Sequence, residues 1–524
     1  MSFKKMPFIN TTEMLKVMEI LVSKFKSLNP IIKWSATVLG ILGFNGLYNF
    51  LLRKMNNYPP GNYGIPIFGN LFLLAPTFEG IMKDARKYKT LSMTYYPGLF
   101  GLKSVAIYDL DIAKKIFYKD NKMRKILTNK FLAWDYDGNE NFADTNGYEW
   151  QYRRQLTHKA LSLLVDSKYI DTRMHALITD KLQPILDEYS DTNNEYYFRK
   201  DLKYAMYQFL FVAFFGNNVE IPQRDEYKRF DKFSNEAWGV FMLSLMVGLF
   251  IGAHNPVGKY VNRKLRSNNT IQSEMFEMFQ RYVKTYKENA KNGDNNEDCY
   301  LARLFEHQKT SLVFSERKLI IDMYGMFLAG YHVTLGQMET VLYFAAKNVS
   351  QQELVYNELR EYYKDKPNGF ELKHIKDLHY YRAFIYEVMR YNKIAVASHL
   401  REINQKGIKV GGYNLPKHCL LSLSIYCIHF NPKYFGDDCD EFNINRWLDD
   451  NKKFKMNPGF VIFGIGPRSC PAQSLALREI YSLMAPLLLR YKFTKPDGMT
   501  SYKIPENWFQ ENIPQLPLIV NKRQ

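Results

Sequence analysis

The sequence predicts a mainly α-helical fold with a small β-rich subdomain, set behind an N-terminal transmembrane helix, and three observations lead there. Apolar residues recur at helical spacing through most of residues 171–288 and 316–363; Val355, Leu359 and Tyr362, for example, stand at i, i+4 and i+7. Strand-like runs are few and short, at Ser92–Tyr96, Val105–Tyr108 and within Ile408–Leu423. Ahead of all of these, Trp34–Leu52 runs for 19 positions without a charge, close to the ~20 residues that cross a bilayer as a helix.

Composition bounds the rest. With 524 residues, 46% of them hydrophobic and 24% charged, the chain has the make-up of a folded protein with a large core, not of a disordered or collagenous one. No Ser/Gly/Pro-rich linker divides it. A single large domain is therefore expected at 71–524, after an N-terminal extension at 1–33, an anchor at 34–52 and a proline-rich hinge at 53–70. Five cysteines, an odd number without CxxC spacing, exclude a disulfide framework, a zinc ribbon and thioredoxin chemistry, and point to a reducing compartment. The net charge of +18 would ordinarily suggest nucleic acid. Here the basic residues are scattered through a Lys-, Asn- and Tyr-rich sequence and no nucleic-acid-binding motif accompanies them, so nucleic acid is not an expected partner.

Lys33 before the uncharged stretch and Arg53-Lys54 after it suit the headgroup level on either side. The stretch begins too late and runs too long for a cleaved signal, and lacks a small-residue cleavage site. Tyr58-Pro-Pro-Gly-Asn-Tyr-Gly-Ile-Pro-Ile-Phe-Gly-Asn70 follows, where prolines fix φ and glycines allow sharp turns, a stiff tether to the globular part. A second uncharged run, Ala237–Ala253, is shorter and internal, and is expected to pack in the core or dip into the membrane surface rather than span it. In Ile408–Leu423, Gly411-Gly412 and Pro416 punctuate a hairpin-like pattern.

One cysteine sits in unusual surroundings. Phe463-Gly-Ile-Gly-Pro-Arg-Ser-Cys-Pro-Ala472 leads into an apolar helix pattern at Ala472, Ala476, Ile480, Leu483 and Leu487. Pro471 suits a first helical position, which predicts Cys470 at the helix N-cap, where free N–H groups and the positive dipole end favour a thiolate. Gly464 and Gly466 let the backbone double back and a flat ligand approach it, and Arg468 is expected to bring a cation beside the sulfur. The pattern offers an anionic sulfur ligand under a planar surface.

FGIGPRSCPA is similar to the haem-binding signature FxxGxRxCxG of the haem-thiolate monooxygenases, the cytochrome P-450 family, and departs from it only at Ala472. Trp150-Gln-Tyr-Arg-Arg154 resembles the WxxxR of the family's propionate-binding helix, and Glu387-Val-Met-Arg390 resembles its ExxR motif. Asp440–Trp447 is similar to the meander segment whose arginine, here Arg446, closes a triad with the ExxR pair; Ile444 and Asn445 replace its usual Pro and Glu. The tether resembles the microsomal hinge, so the resemblance spans roughly residues 58–520. It implies a cytochrome P-450-like fold and haem (heme b) as cofactor, its iron held by the axial thiolate of Cys470. Trp150, Arg154, Phe463 and Arg468 come with the matched motifs as cofactor-binding residues, and Arg401 stands at the position of a further propionate-binding arginine.

The distal helix departs from the family pattern. Ala329-Gly-Tyr-His-Val-Thr334 aligns with the stretch in which an acid and then Thr follow the groove-opening Gly, and here those positions hold His332 and Val333. Val has the shape of Thr without the hydroxyl, so it neither donates a hydrogen bond to dioxygen nor anchors a water. Thr334 stands one residue on, about 100° further round a helix. His332 is of a type that titrates near neutrality and is a candidate proton relay.

The resemblance thus implies a membrane-anchored monooxygenase that inserts one oxygen atom from dioxygen into an apolar small-molecule substrate. No GxGxxG opens a helix after a strand and no cysteine cluster suits iron–sulfur, so an NADPH-dependent reductase is implied as separate electron donor. Two other readings stay open: a haem-thiolate isomerase, dehydratase or peroxide-dependent oxidase, and a catalytically inert haem-binding protein. The family places such a domain on the cytosolic side of the endoplasmic reticulum membrane. The lysines at 4, 5, 16, 24, 26 and 33 pull the other way.

Overall fold

The computed structural model describes residues 54–61, 78–95, 103–118, 123–125, 141–165, 168–216, 219–247, 260, 270–292, 299–308, 315–365, 372–392, 398–499 and 516–523, with isolated positions 29, 35, 37 and 51 before them. The predicted extension and anchor, apart from those positions, and most of the hinge lie outside the described residues.

In chain order the elements are α1 (Phe78–Tyr88), β1 (Leu91–Tyr95), β2 (Lys103–Ile107), α2 (Leu110–Phe117), β3 (Met123–Lys125), α3 (Gly147–Val165), α4 (Lys168–Leu177), α5 (Gln183–Tyr189), β4 (Tyr196–Tyr197), α6 (Arg199–Phe215), α7 (Arg224–Val247), α8 (Thr270–Lys291) and α9 (Tyr300–Gln308). There follow α10 (Glu316–Lys347), α11 (Val349–Tyr363), α12 (His379–Tyr391), β5 (Ser398–Ile403), β6 (Ile408–Val410), β7 (Tyr413–Leu415), β8 (Leu420–Leu423), α13 (Ile425–His429), α14 (Pro432–Phe435), α15 (Gln473–Arg490), β9 (Tyr491–Thr494) and β10 (Pro517–Lys522). Among the described residues the stretches expected from periodicity are mostly helical, and α7 takes in the first part of the second uncharged run.

The organising element is α10. Ser315 caps it by accepting the Lys318 N–H, and it is apolar on every side. A helix of that kind must be enclosed by others, and α6, α8, α11, α12 and α15 pack around it. Among the described residues it alone is long and apolar enough to cross a membrane, but 83% of that stretch is buried within the protein, which makes it a core helix.

A five-stranded sheet in the order β1-β2-β8-β5-β3 forms the β-rich side. β2 and β8 run parallel and the other neighbours antiparallel. The hairpin expected in 408–423 is β6–β7, turning on Gly411 at φ 55° and Gly412 at φ 87°, which a two-residue turn with both centres left-handed requires. Leu420–Leu423, read with that hairpin from sequence, is instead a separate strand within the five-stranded sheet. All four of its residues are buried; a strand covered on both faces loses the alternation that would name its partner.

The ExxR pair lies at the junction of helical core and sheet. Glu387 and Arg390 are both wholly buried. Arg390 donates to Glu387 through Nε and Nη2, each at 2.8 Å, and to the carbonyls of His429, Cys439 and Glu441 at 2.8, 2.8 and 2.9 Å. Glu387 also accepts Arg446 Nε at 3.0 Å, Trp447 Nε1 at 2.8 Å and the Asn443 N–H at 2.8 Å. The expected triad is formed. Ile444 and Asn445 are accommodated because Ile444–Trp447 is a 3-10 turn capped by Asn443, which presents Arg446 and Trp447 to the same carboxylate.

Candidate active site

The segment before α15 doubles back on itself. The Cys470 N–H donates to the Phe463 carbonyl at 2.8 Å and Ser469 N–H to Gly466 at 3.0 Å, while Gly464 and Gly466 take φ of 77° and 76°. Gly466 is dictated twice over, because a Cβ there would also stand 2.4 Å from the Phe117 carbonyl oxygen. The helix itself begins at Gln473 with Ala472 as N-cap. Cys470 is thus two residues ahead of the cap, not at it as the sequence suggested, since Pro471 and Ala472 form a turn before the helix. Burial pushes the Cys470 thiol up, opposed by the Ala472 N–H and the charge of Arg154. The cation acting on the sulfur is therefore Arg154 rather than the expected Arg468. Arg468 lies over the Trp150 ring, 4.0 Å from its centroid, and donates through Nη2 to the Thr145 carbonyl at 2.9 Å and to Asn146 Oδ1 at 3.0 Å.

Cys470 opens onto a cavity of about 370 Å³. Trp150, Arg154, Arg401, Phe463 and Arg468 line it from three separate parts of the chain, and Phe142, Leu210, Phe214, Met326 and Leu475 supply apolar wall. From α10 come Ala329, Gly330, Val333, Thr334 and Gln337. Val333 is 48% exposed although it sits mid-helix, its open side facing this space. Thr334 is buried, and its hydroxyl acts on the Glu479 carboxyl of α15 from across the cavity wall. Burial pushes Glu479 up to about 8, with Thr334 and Arg478 opposing, so the carboxyl is mostly uncharged at neutral pH.

His332 is not among the lining residues. It is 4% exposed, edge-on to the Tyr331 ring. Burial, reinforced by Lys203 and Arg199, pushes its imidazole down to about 3 against the pull of Asp231. The expectation that it titrates near neutrality is therefore corrected.

The match to known proteins agrees with this geometry. The family model for cytochrome P450 covers residues 59–520. The chain belongs to the cytochrome P450 family. Its relatives include a probable cytochrome P450 508C1 of Dictyostelium discoideum, 24% identical over 490 residues that cover 88% of this chain and 94% of the relative. Cytochrome P450 2J5 of Mus musculus is 23% identical over 472 residues, 88% and 90% of the two chains.

Cytochromes P450 bind haem through a cysteine thiolate, and the residues of this P450 fit that group. The cavity offers one thiol, three guanidiniums and apolar walls, and its one carboxyl is held mostly neutral. Such a donor set matches a flat apolar ring with two carboxylates and a metal that deprotonates its thiol ligand. Sequence reasoning did not find Glu479. Its signal was present as an acid four residues after Leu475, on the cavity-facing side of an apolar helix. The wall residues Asn141, Phe142 and Ala143 had no local signal.

Proposed function

We propose that this cytochrome P450 is a membrane-anchored monooxygenase that inserts one oxygen atom of dioxygen into an apolar organic molecule, with electrons from a separate NADPH-dependent reductase. The observation that supports it best is the single cavity shared by Cys470, three arginines and otherwise largely apolar side chains. Thiolate-bound haem iron supplies dioxygen activation and oxygen transfer when bound. On this reading Cys470 would ligate the haem iron, Trp150, Arg154, Arg401 and Arg468 would hold its propionates, and Phe463 would pack beside them. Phe142, Leu210, Phe214 and Met326 hold the substrate and exclude water. The test is a reduced carbon monoxide spectrum with the red-shifted Soret band, then reductase-dependent NADPH and dioxygen consumption that rises with substrate. Val333 favours a second reading, an isomerase, dehydratase or peroxide-dependent oxidase, which holds if the band is present and that consumption is not.

Proton supply on this reading falls to Thr334 and Glu479. Helix α10 keeps α geometry throughout, so no widened turn moves Thr334 into the place of Val333. Thr334 reaches the cavity from its own position, beside a carboxyl on the same cavity wall that is protonated below pH of about 8. A positioned proton donor contributes roughly 10²–10⁴-fold. Thr334→Ala and Glu479→Gln are expected to lower product per NADPH by at least about tenfold, whereas Val333→Thr changes it little. In the wild type the ratio falls as pH rises through about 8, where the carboxyl loses its proton; in Glu479→Gln that limb is absent. A large gain from Val333→Thr alone would return the proton path to position 333.

The division into extension (1–33), anchor (34–52), hinge (53–70) and catalytic domain (71–524) belongs to the same proposal, with the domain on the cytosolic face of the endoplasmic reticulum. Asn10-Thr-Thr12 is a glycosylation acceptor, so topology is readable. Glycosylation at Asn10 and a protease-sensitive globular domain on sealed vesicles are expected. Protection of that domain inside the vesicles reverses the placement.

A further inference from the structure

Arg153 precedes the arginine of the WxxxR match, yet it faces away from the cavity and is 1% exposed. Its Nε donates to Asp322 Oδ2 at 2.8 Å and its Nη2 to Oδ1, and Asp322 is 2% exposed. This joins α3, which carries Trp150 and Arg154, to α10, which carries Val333 and Thr334. Arg153 Nη1 and Lys318 Nζ both also donate to Glu149 Oε1, at 2.9 and 2.8 Å, a second tie between the two helices.

The Asp322 carboxylate has a second partner. The Phe142 N–H donates to Asp322 Oδ1 at 2.7 Å, and Asn141 Nδ2 reaches the carbonyls of Ile321 and Asp322 at 3.3 and 3.4 Å. At its other end the segment is held by Arg468, through the Thr145 carbonyl and Asn146 Oδ1. Residues 141–146 are thus strung between α10 and the cysteine segment, and three of them, Asn141, Phe142 and Ala143, are cavity wall.

We propose that Asp322 is a positioning residue for the cavity: by gripping Arg153 and the Phe142 amide with one carboxylate, it sets the wall at 141–143 relative to the cofactor-binding helix, and so determines which bulky ligands fit. The physical reason is that a buried backbone N–H holds its place only where an acceptor is fixed for it. The acceptor here is fixed by a buried arginine on the neighbouring helix. The inference rests on the haem-thiolate reading for its optical probes, but not for its backbone probe.

The experiment uses the haem-loaded protein and compares wild type, Arg153→Leu/Asp322→Leu and Arg153→Leu/Asp322→Asn. The first double variant removes both charges and the acceptor for Phe142; the second removes the charges but keeps an amide oxygen as acceptor. Affinities for imidazole, which reports iron access alone, and for phenylimidazole, which must also fit the wall, are read from the Soret shift, and exchange of the Phe142 amide is followed in parallel. In the Leu/Leu variant the phenylimidazole-to-imidazole affinity ratio is expected to fall at least about fivefold and the amide to exchange at least about tenfold faster, with the thiolate band kept. The Leu/Asn variant, which keeps an acceptor but not the arginine that fixes it, is expected to recover part of the amide protection and none of the affinity ratio. Asp322→Glu, which moves the carboxylate by one methylene, reads the same two quantities if the Leu/Leu chain does not accumulate. An unchanged ratio and unchanged exchange in Leu/Leu, or full recovery of the ratio in Leu/Asn without the arginine, overturns the assignment. A wild type without the thiolate band overturns the proposed function instead, and amide exchange then still decides the role of Asp322.

Discussion

Cys470→Ala is expected to lose the red-shifted carbon monoxide band completely, while Cys419→Ala and Cys427→Ala keep it. Acidity does not separate these residues, since burial pushes every one of these thiols up; access does. Cys299, Cys419, Cys427 and Cys439 are buried among core side chains, and burial pushes the first three up to about 11, 12 and 12. Cys470 alone opens onto the cavity. Its thiol is also pushed up by burial, so the sequence argument from the helix dipole is not what makes it a ligand. Three features remain: its place between two left-handed glycines and α15, the Ala472 N–H, and the positive charge of Arg154 acting on the sulfur. A normal thiolate spectrum from the Cys470 variant would sink the site.

Glu387→Ala and Arg390→Ala are each expected to abolish accumulation of folded, haem-loaded protein rather than slow turnover. All five N–H groups of Arg390 are in use, two on Glu387 and three on carbonyls of the segment that follows the sheet. Removing Glu387 leaves Arg390 and Arg446 facing each other without a shared anion and strands the Trp447 and Asn443 N–H groups. Breaking a buried pair costs about 3–5 kcal/mol, against a net domain stability of ~5–15 kcal/mol. Haem per polypeptide and thermal unfolding are the measurements. Stable, loaded variants with only reduced rates would show that the network is dispensable.

Much of the molecule was legible because its signals are local. The glycine spacing around Cys470, the helical periodicity of 171–288 and 316–363, and the i, i+3 pairing of Glu387 with Arg390 each depend on residues within a turn or two of one another. The triad through Arg446 was legible only by resemblance, and its geometry survived the loss of the usual Pro and Glu because Asn443 caps the turn in their place.

By itself, then, the sequence determined the thiol, the glycines that expose it, the arginines around it and the helices that carry them. The tertiary structure alone decided which side of α10 meets the cavity. That helix is buried on every side, so its apolar pattern has no phase to read, and successive residues differ by about 100° in direction. Packing against α15 and the cysteine segment turns Val333 and Thr334 toward the cavity and His332 away from it. It likewise chose Arg154 over Arg468 as the cation acting on the sulfur, and brought Glu479 to the cavity wall beside Thr334 across 145 residues of chain. Charge and hydrogen bonding act through space, over a few ångströms, and separation along the chain says nothing about that distance until the helices have packed.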